Sequence, residues 1–472
     1  MNNSGSIFGG SGGGDGIAGA GVANSGQLSR LVNSGEIDGG TGGSGLRFAA
    51  AGGDGVLNTA VITTLVNTGL IGGGTAFGGP SADPSELPSG VGVDNDGSIT
   101  SLTNSSDIIG GVGADGVSTA GGAGAAGVSN SGAIQSLTDG GLIGGGQGGE
   151  SELGGGIGGA GLADMAGATI GSLIIRSGGL INGGIGGFAS SDDPGGQGGT
   201  GVNNGGDITT LSNAGTIGGG LGASGATGGA GGDGLVNSGV ITALTNSGTI
   251  TGSRGGSGTG GGAGGAGGLG LYNSGTITTF TNNGTIENGP TGDPPNVASA
   301  IELLSGATLT NTGTINTFIN NGLIDNTLGG IAIDDQGSIG SLINRGAIDG
   351  SVELAAGDSL TNTGQIEGNV SLGASDAFYD HGGSIASITA SASDVLKFNG
   401  AFGAATIEDF QASGPSNDIL LLAGDGFSSY SALQHVISQV GANTVIAVTS
   451  ANTITLENTS ATSLTAADFR FS

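Results

Sequence analysis

The side chains best suited to nucleophilic or acid–base chemistry are scarce in this chain. It has two histidines, His381 and His435, and no cysteine. Serine is abundant, so a Ser-His-Asp arrangement could be assembled on paper, but no G-x-S-x-G elbow occupies a strand-turn-helix setting. The two histidines are far apart in sequence and form no metal-ligand pattern. We therefore predict that the protein is not an enzyme.

Paired carboxylates are the remaining candidates for chemistry. β-Helical polysaccharide hydrolases use acidic side chains gathered on one face, and the nearest pairs here are Asp334/Asp335 and Asp192/Asp193. Both pairs are typical of solvated turns. The many G-x-G patterns follow from composition, since no Walker lysine or βαβ unit accompanies them. A β-helical carbohydrate-active enzyme stays the least favoured alternative.

The elements that would have to position such residues are unusual in composition. Glycine makes up 115 of the 472 residues, charged residues 9% and aromatic residues 3%. Ordinary domains have about 7% glycine and about 25% charged residues. A core of large side chains is therefore not expected. Ile, Leu and Val nevertheless recur at set places, so the pattern indicates a repetitive fold dominated by its backbone rather than charge-driven disorder.

The charge balance excludes several classes of partner. There are 7 basic and 37 acidic residues, for a net charge of −30. Nucleic-acid binding requires clustered basic side chains, and an anionic membrane would repel this chain. Divalent cations are the partners that such a charge favours. We predict no membrane span, since no run of about 18 apolar residues occurs, and the first residues show no cleaved signal peptide.

A nine-residue phrase, apolar-x-Asn-x-Gly-x-Ile-x-x, recurs in pairs. Residues 234–250 contain two copies, whose asparagines are Asn237 and Asn246. The pairs repeat every 34 to 36 residues along much of the chain, and residues 164–176 are a degenerate copy. Asp139 and Asp335 replace asparagine in two other copies. The asparagines of the repeat are Asn24, Asn33, Asn58, Asn67, Asn95, Asn104, Asn130, Asn204, Asn213, Asn237, Asn246, Asn273, Asn282, Asn311, Asn320, Asn344 and Asn362.

Each residue type in the phrase has a physical role. The apolar spacing alternates between six and three residues, as from Leu235 to Ile241 to Leu244, which fits short strands separated by corners. Glycine permits a sharp corner, and asparagine amides can bond to one another from coil to coil as a ladder. We predict an all-β fold: a right-handed parallel β-solenoid over residues 1–372, with each pair of phrases forming about one coil.

The glycine-rich spacers between the pairs, such as residues 255–268, allow two interpretations. They could be flexible loops on one side of the solenoid. Alternatively, they could be stacked polyglycine-like segments, ordered because each lies on its neighbour. Glycine loses much entropy on ordering, so the second interpretation requires a regular lattice of backbone hydrogen bonds.

Composition changes near Gly373, where glycine becomes rarer, Phe becomes more frequent, and Lys and His appear. Residues 394–398 and 405–407 are predicted strands, and residues 444–448 with 453–456 a hairpin. Ser428 or Ser429 is predicted to cap a helix. The apolar positions of this helix are Leu433, Val436, Ile437 and Val440. Residues 373–472 are thus expected to form a small β-rich cap with one helix.

The order of short motifs in this segment carries a resemblance. They are Ile407-Glu408-Asp409-Phe410, Asn417-Asp418-Ile419-Leu420-Leu421, Thr453-Ile454-Thr455-Leu456 and Asp468-Phe469-Arg470-Phe471-Ser472. Together they resemble the C-terminal regions of RTX-type proteins exported by bacterial type I secretion systems. The resemblance covers about 80 residues. It implies a type I exporter as partner, an extracellular location and an uncleaved C-terminal signal carried by Leu464, Asp468, Phe469, Phe471 and Ser472.

The same resemblance implies calcium as the candidate cofactor, with Asp409 and Asp418 as its ligands. The sequence departs from the family in one respect, because the calcium nonapeptide G-G-x-G-x-D-x-U-x does not occur as a tandem run. The repeats of residues 1–372 resemble the passenger repeats of β-helical bacterial adhesins and filamentous surface proteins.

Two classes of function are consistent with these features. The first is a secreted, rod-like structural or adhesive protein of a cell surface or extracellular matrix, with self-association into fibres or a surface layer. The second is a binding module with a regular threonine and asparagine face for glycans or ice. The threonine pairs that would form this face are Thr63/Thr64, Thr209/Thr210 and Thr278/Thr279.

Overall fold

The computed structural model describes residues 1–13, 16–43, 50–77, 88–190, 192–292, 307–326, 330–422 and 426–471. The chain divides into two compact units. Unit 1 comprises Met1–Thr276 with Thr285–Gly306, and unit 2 comprises Ile277–Gly284 with Ala307–Ser472. Both units are built from parallel strands stacked coil upon coil, which confirms the predicted parallel β-solenoid with a small C-terminal cap.

A complete coil of unit 1 has a leading, a central and a trailing strand, followed by a glycine-rich excursion; the first coil begins with its central strand. The leading strands are Val22–Asn24, Val56–Asn58, Val93–Asn95, Val128–Asn130, Leu162–Asp164, Val202–Asn204, Leu235–Asn237 and Leu271–Asn273. The central strands are Asn2–Asn3, Gln27–Asn33, Val61–Asn67, Ser98–Asn104, Ala133–Asp139, Thr169–Ile175, Asp207–Asn213 and Val240–Asn246. The trailing strands are Ser6–Phe8, Glu36–Asp38, Leu70–Gly72, Asp107–Ile109, Leu142–Gly144, Leu180–Asn182, Thr216–Gly218, Thr249–Thr251 and Thr285–Glu287.

The core of unit 1 consists of apolar side chains at equivalent positions of successive coils, stacked in register. In one coil these are Val56, Ile62, Leu65 and Ile71, all fully buried. Leu65 pairs with Leu102 of the next coil, so each aliphatic side chain packs on its equivalent. The alternating six- and three-residue spacing of the apolar residues thus reflects one inward apolar side chain in each short strand and two in each central strand.

The glycine-rich excursion leaves the trailing strand as an outgoing arm and comes back to the next leading strand as a returning arm. Within an arm, two glycines alternate with one other residue, as in Gly145-Gly146-Gln147-Gly148-Gly149. This three-residue period matches an extended polyproline II-type helix. The described residues of the arms form isolated bridges, such as Gly116 with Ser151, rather than strands.

Backbone hydrogen bonds connect each arm in two directions. Gly148 donates to Ile185 O of the next outgoing arm, at 2.9 Å, whereas Gly149 donates to Gly122 O of a returning arm, at 2.8 Å. The returning arm also donates hydrogen bonds to an outgoing arm, since the Gly156 amide donates to Gly149 O at 2.9 Å. Outgoing and returning arms are therefore bonded into one lattice. Of the two interpretations of the spacers, the ordered polyglycine-like arrangement is the one found in the described residues.

The lattice explains why glycine recurs twice in every three residues. A Cβ atom placed at Gly146 would overlap the carbonyl oxygen of Gly111, and one placed at Gly156 would overlap that of Gly122. The third residue of each period faces outward and tolerates a side chain, as Gln147 and Ile157 show.

Unit 2 is also built of parallel strands, and its coils are shorter, with no glycine-rich arms among its described residues. The leading strands are Leu309–Asn311, Ile331–Asp335, Ser351–Glu353, Val370–Ser371, Ile388–Thr389, Ala404–Glu408 and Thr453–Leu456. The central strands are Thr276–Asn282, Thr314–Asn320, Ser338–Ile339, Leu342–Asn344, Ser359–Asn362, Ala377–Asp380, Val395–Phe398, Ile419–Leu422 and Phe469–Phe471. The trailing strands are Leu323–Asp325, Ala347–Asp349 and Gln365–Ile366. The change in composition near residue 373 does not interrupt the stack, since Ala377–Asp380 pairs with both neighbouring central strands.

The C-terminal cap departs from the predicted helix. Ser429 does cap a helix, accepting a hydrogen bond from the Ala432 amide, but the α-helix is only Tyr430–Leu433, followed by a 3₁₀ turn, Gln434–Val436. Ile437–Val440 is a strand that pairs antiparallel with Asn443–Ala447. The predicted continuation of the helix to Val440 is therefore wrong.

The predicted hairpin is present, because Asn443–Ala447 pairs antiparallel with Thr453–Leu456. A second 3₁₀ turn, Ala466–Asp468, precedes the final strand. The β-branched residues of Ile437–Val440 pair across the sheet, and this pairing outweighs their helical spacing.

We expect the arms to reject any side chain at the inward glycines. Gly156→Ala should lower the free energy of unfolding by about 1–3 kcal/mol, the usual range for overpacking. Ile157→Ala is the matched control, because the Ile157 side chain is 52% exposed, and it should stay within about 0.5 kcal/mol of the parent. Chemical denaturation of both variants would test this; equal stabilities would contradict an ordered arm.

Candidate functional site

Two rows of asparagines run along unit 1, one at each corner of the central strand. At the first corner, Asn24 Nδ2 donates to Asn58 Oδ1 at 2.7 Å, and Asn58 donates to Asn95 at the same distance. The row continues through Asn130 to Asp164 and, in a second segment, from Asn204 through Asn237 to Asn273. These rows are the ladders that the repeat predicts.

The second corner carries the other ladder. Its first segment is Asn3, Asn33, Asn67, Asn104 and Asp139, with side-chain hydrogen bonds of 2.8–2.9 Å. A later segment joins Asn213 to Asn246 at 2.8 Å. Asn3 is a member that the sequence analysis missed, although Asn3-Ser4-Gly5 has the Asn-x-Gly signature of the other corners.

Each ladder amide is bonded to backbone as well as to its neighbour. Asn67 Nδ2 donates to Gly69 O within its own corner and to Asp107 O of the next coil, both at 2.9 Å. Asn67 Oδ1 also accepts from the Gly69 amide at 3.3 Å. The side chain therefore fixes the corner and the register between coils together, which explains why asparagine is fully buried here without penalty.

Unit 2 has the same second-corner ladder. Asn282, Asn320, Asn344 and Asn362 are joined by side-chain hydrogen bonds of 2.8–2.9 Å. At the first corner Asn311 donates to Asp335 at 2.6 Å. Asp335 is therefore a buried rung, whereas Asp334 points outward and accepts from Gln336 at 2.8 Å. The two carboxylates of the Asp334/Asp335 pair therefore lie in different surroundings, one outward and one buried. The other candidate pair, Asp192 and Asp193, lies in a turn.

A third ladder in unit 2 was missed by the sequence analysis. Asp358, Asp376 and Asp394 follow one another at 18-residue steps, and Asp418 comes 24 residues later. All are at most 2% exposed. The Asp376 carboxylate accepts from the Asp358 amide at 2.9 Å and from the Gly373 amide at 2.8 Å. The signal available in the sequence was an Asp two residues before a Leu or Phe, as in Asp376-Ala377-Phe378.

Burial perturbs these carboxyl groups. It is the main cause that raises the pKa of Asp376 and of Asp418 to about 6, against backbone hydrogen bonds that lower it. Burial and then the neighbouring Asp335 carboxyl raise the pKa of Asp358 to about 7. Burial likewise raises the pKa of Asp394.

The residues of the expected secretion signal lie in the folded cap. Leu464 and Phe469 are buried, and Phe469 stacks on Tyr430 with ring centroids 5.2 Å apart. Phe471 stacks on Phe469 at 6.4 Å. Asp468 accepts from the Thr465 amide at 2.6 Å and the Ser413 amide at 2.7 Å, like the rungs of the aspartate ladder. Ser472 lies outside the described residues.

The two carboxylates expected to bind calcium have different surroundings. Both oxygens of Asp418 accept amide hydrogen bonds, from Asp394 and Gln411, whereas Asp409 is exposed with φ of 59°. Within the described ranges, no group of three or more His, Asp or Glu side chains is placed to hold a metal ion. Both histidines, His381 and His435, are exposed.

The outer face of the central strands is mixed rather than a uniform threonine array. The side chains at one equivalent position in unit 1 are Ser29, Thr63, Thr100, Gln135, Gly171, Thr209 and Thr242. Gly171 leaves a depression of about 400 Å³ in this face. Its polar lining includes Gln135, Thr169, Asp207 and Thr209.

The outward positions of the outgoing arms form a second repetitive surface. Consecutive coils place Val112, Gln147, Ile185 and Leu221 in one row, linked by the backbone hydrogen bonds of the following glycines. Val112, Ile185 and Leu221 are each 41–47% exposed. An acidic protein thus displays apolar side chains in a regular row.

Removal of one ladder asparagine should weaken unit 1. Asn237→Ala deletes the donor to Asn273 and the acceptor of Asn204, and we expect a loss of roughly 1–3 kcal/mol in unfolding free energy. Val236→Thr is the control, since Val236 lies in the same strand and faces outward. If thermal and denaturant unfolding gave the two variants equal stability, the ladder would not contribute to unit 1.

The raised pKa values of the buried aspartates determine the sign of the pH dependence. The folded protein binds their protons more tightly than the unfolded chain, so their contribution to stability is present at low pH and is lost as pH rises through about 6 to 7. We expect Tm to be several degrees higher at pH 5 than at pH 8. Scanning calorimetry across this interval would measure it, and a Tm that rises with pH would contradict the assignment.

Among the helices of the described residues, none has the length and hydrophobicity needed to span a bilayer. Comparisons of the chain with family models, with curated proteins and with solved structures gave no match.

Proposed function

We propose that this protein is a secreted structural or adhesive component of a bacterial cell surface or extracellular matrix. The observation that carries the proposal is the lattice of coil-to-coil hydrogen bonds in unit 1, in which arms, corners and strands all bond to their equivalents. Most residues of such a chain form a stiff repetitive scaffold. The exposed histidines and the bonded or turn carboxylates described above give no support to a catalytic role.

Adhesion is supported by what the scaffold displays. Inward arm positions hold glycine or a small residue such as Ala114 and Ala223, which are buried, so the larger side chains of the arms occupy the outward positions. Exposed apolar residues, including Val112, Ile185 and Leu221, occupy several of these positions. Large exposed apolar patches on a folded protein typically mark contact surfaces. The same rows are suited to self-association or to attachment at an apolar surface.

Export by a type I system is the second part of the proposal. It rests on the resemblance of the C-terminal motifs to RTX-type secretion regions. Leu464, Asp468 and Phe469 are all buried in the cap, so the proposed signal would be read before the cap folds. Extracellular localisation follows from this route.

The proposed route can be tested with the full chain. Co-expressed with a type I exporter, the protein should reach the medium, and removal of its last 20 residues should retain it in the cell. An exporter lacking its ATPase activity is the control. Secretion that persists without the last 20 residues, or without the active exporter, would refute the proposed route.

The adhesive role has its own test. Replacing Val112, Ile185 and Leu221 together by Ser should reduce binding to apolar-coated beads several-fold, because the apolar row is lost. Gln147→Ser, in the same row, is the matched control and should bind like the parent. Unchanged binding by the triple variant would show that this row of the arms is not part of the adhesive surface.

Glycan binding is a second candidate, favoured by one observation. The depression at Gly171 is lined by amide, hydroxyl and carboxylate groups from Gln135, Thr169, Asp207 and Thr209. These groups can pair with sugar hydroxyls. A glycan array probed with the full chain and with Asp207→Ala would assess this; signals equal in both would exclude the depression as the site.

A further inference from the structure

The coil of residues 162–182 interrupts both ladders of unit 1. Its corners contain four residues each, between Leu162–Asp164 and Thr169–Ile175 and between Thr169–Ile175 and Leu180–Asn182, where other coils have two. At the two asparagine positions it carries Asp164 and Ile175. The two positions differ in chemistry, since Ile175 offers no polar group whereas Asp164 offers a carboxyl.

Asp164 stands in register between Asn130 and Asn204. Its Oδ1 accepts from Asn130 Nδ2 at 2.7 Å, as an asparagine would. Its other oxygen, Oδ2, and Asn204 Oδ1 are both buried, and neither has a hydrogen-bond partner within the described part of the chain. In intact steps, an amide Nδ2 donates to the Oδ1 of the next rung. At this step two oxygens occupy the donor and acceptor positions.

We propose that Asp164 holds a proton on Oδ2 and donates it to Asn204 Oδ1, which joins the two ladder segments into one. The carboxylic acid then replaces the missing amide donor. When the proton leaves, a carboxylate faces a carbonyl oxygen in a buried corner, and the step opens. The coil of residues 162–182 is thereby a proton-dependent joint in the solenoid of unit 1.

The electrostatic surroundings agree with this geometry. Burial is the main cause that raises the pKa of Asp164 to about 6, and the negative charge of Asp207 raises it further, while the Asn130 hydrogen bond lowers it. Asp207 begins the central strand of the next coil, and the corners on either side supply the neutral amides of Asn130 and Asn204. The joint should therefore be closed in mild acid and open at alkaline pH.

Asp139 provides an internal contrast. It ends the first segment of the other ladder, accepts from Asn104 at 2.8 Å and is fully buried, and burial raises its pKa too. Its equivalent in the next coil is Ile175. A protonated Asp139 therefore has no oxygen in the next rung to which it could donate, so the two aspartates separate the ladder effect from simple charge removal.

The test is a double-mutant cycle in the full chain. Asp164→Asn supplies a permanent donor, so at pH 8 its Tm should rise by roughly 2–4 °C, and its Tm should depend less on pH between 5 and 8 than that of the parent. In the Asn204→Ala background the gain from Asp164→Asn should fall to the smaller gain that removal of a buried charge gives by itself. Asp139→Asn is the control and should give a smaller gain.

Infrared spectroscopy gives a direct readout. The parent minus Asp164→Asn difference spectrum at pH 5 should contain the C=O stretch of a protonated carboxylic acid, which should fade by pH 8. Three results would overturn the proposal: no gain from Asp164→Asn at pH 8, an equal gain in the Asn204→Ala background, or stabilisation of the parent but not of Asp164→Asn by added Ca²⁺ or Na⁺. The last result would assign the site to a cation rather than a proton.

Discussion

The structure depends on one constraint: each coil must present its backbone hydrogen-bonding groups to the next at the spacing of stacked strands, about 4.8 Å. In the strands this is ordinary parallel pairing. In the arms the same requirement is met by backbone hydrogen bonds of the glycines, since Gly148 bonds to the next outgoing arm and Gly149 to a returning arm. Residue types follow from the constraint, with glycine where backbones touch, aliphatic residues where sheets close on the core and asparagine at corners.

The arms show how a chain that is a quarter glycine can be ordered. Glycine loses more conformational freedom on folding than any other residue, and it supplies no side chain to bury. The compensation is a close approach of backbones that only glycine permits, as the overlap of a Cβ at Gly146 with Gly111 shows. The asparagine ladders also help to offset this loss of entropy, because one side-chain amide, such as that of Asn67, bonds both to its own corner and to the next coil.

The sequence predicted those parts of the fold in which a side chain has a recurring task. The nine-residue spacing of Asn237 and Asn246 and the six- and three-residue spacing of Leu235, Ile241 and Leu244 led directly to the stacked coils. The sequence did not decide between the two interpretations of the spacers, because a flexible loop and a packed arm are both rich in glycine. Only the three-residue period of the glycines distinguishes a packed arm from a loop. The aspartate ladder escaped notice since its members, such as Asp376, are single residues that resemble turn carboxylates.

The cap shows a different limit. Apolar residues from Leu433 to Val440 have helical spacing, yet Ile437 pairs with Ile446 across an antiparallel sheet. Pairing with a partner distant in sequence decided this segment, and local periodicity carries no information about such a partner. For the candidate function, the asparagines and the C-terminal motifs could be found in the sequence, whereas the exposed row of Val112, Ile185 and Leu221 and the ladder break at Asp164 required the register between coils.

Amide hydrogen exchange in the glycine-rich arms tests the account most directly. If the arms form the described lattice, the amides of Gly146, Gly149 and Gly156, each bonded to a neighbouring arm, should exchange as slowly as those of the central strands in the same coils. Exchange at the rate of an unstructured peptide in these segments, with protection confined to the strands, would show that the arms are loops and would contradict the backbone lattice on which the account depends.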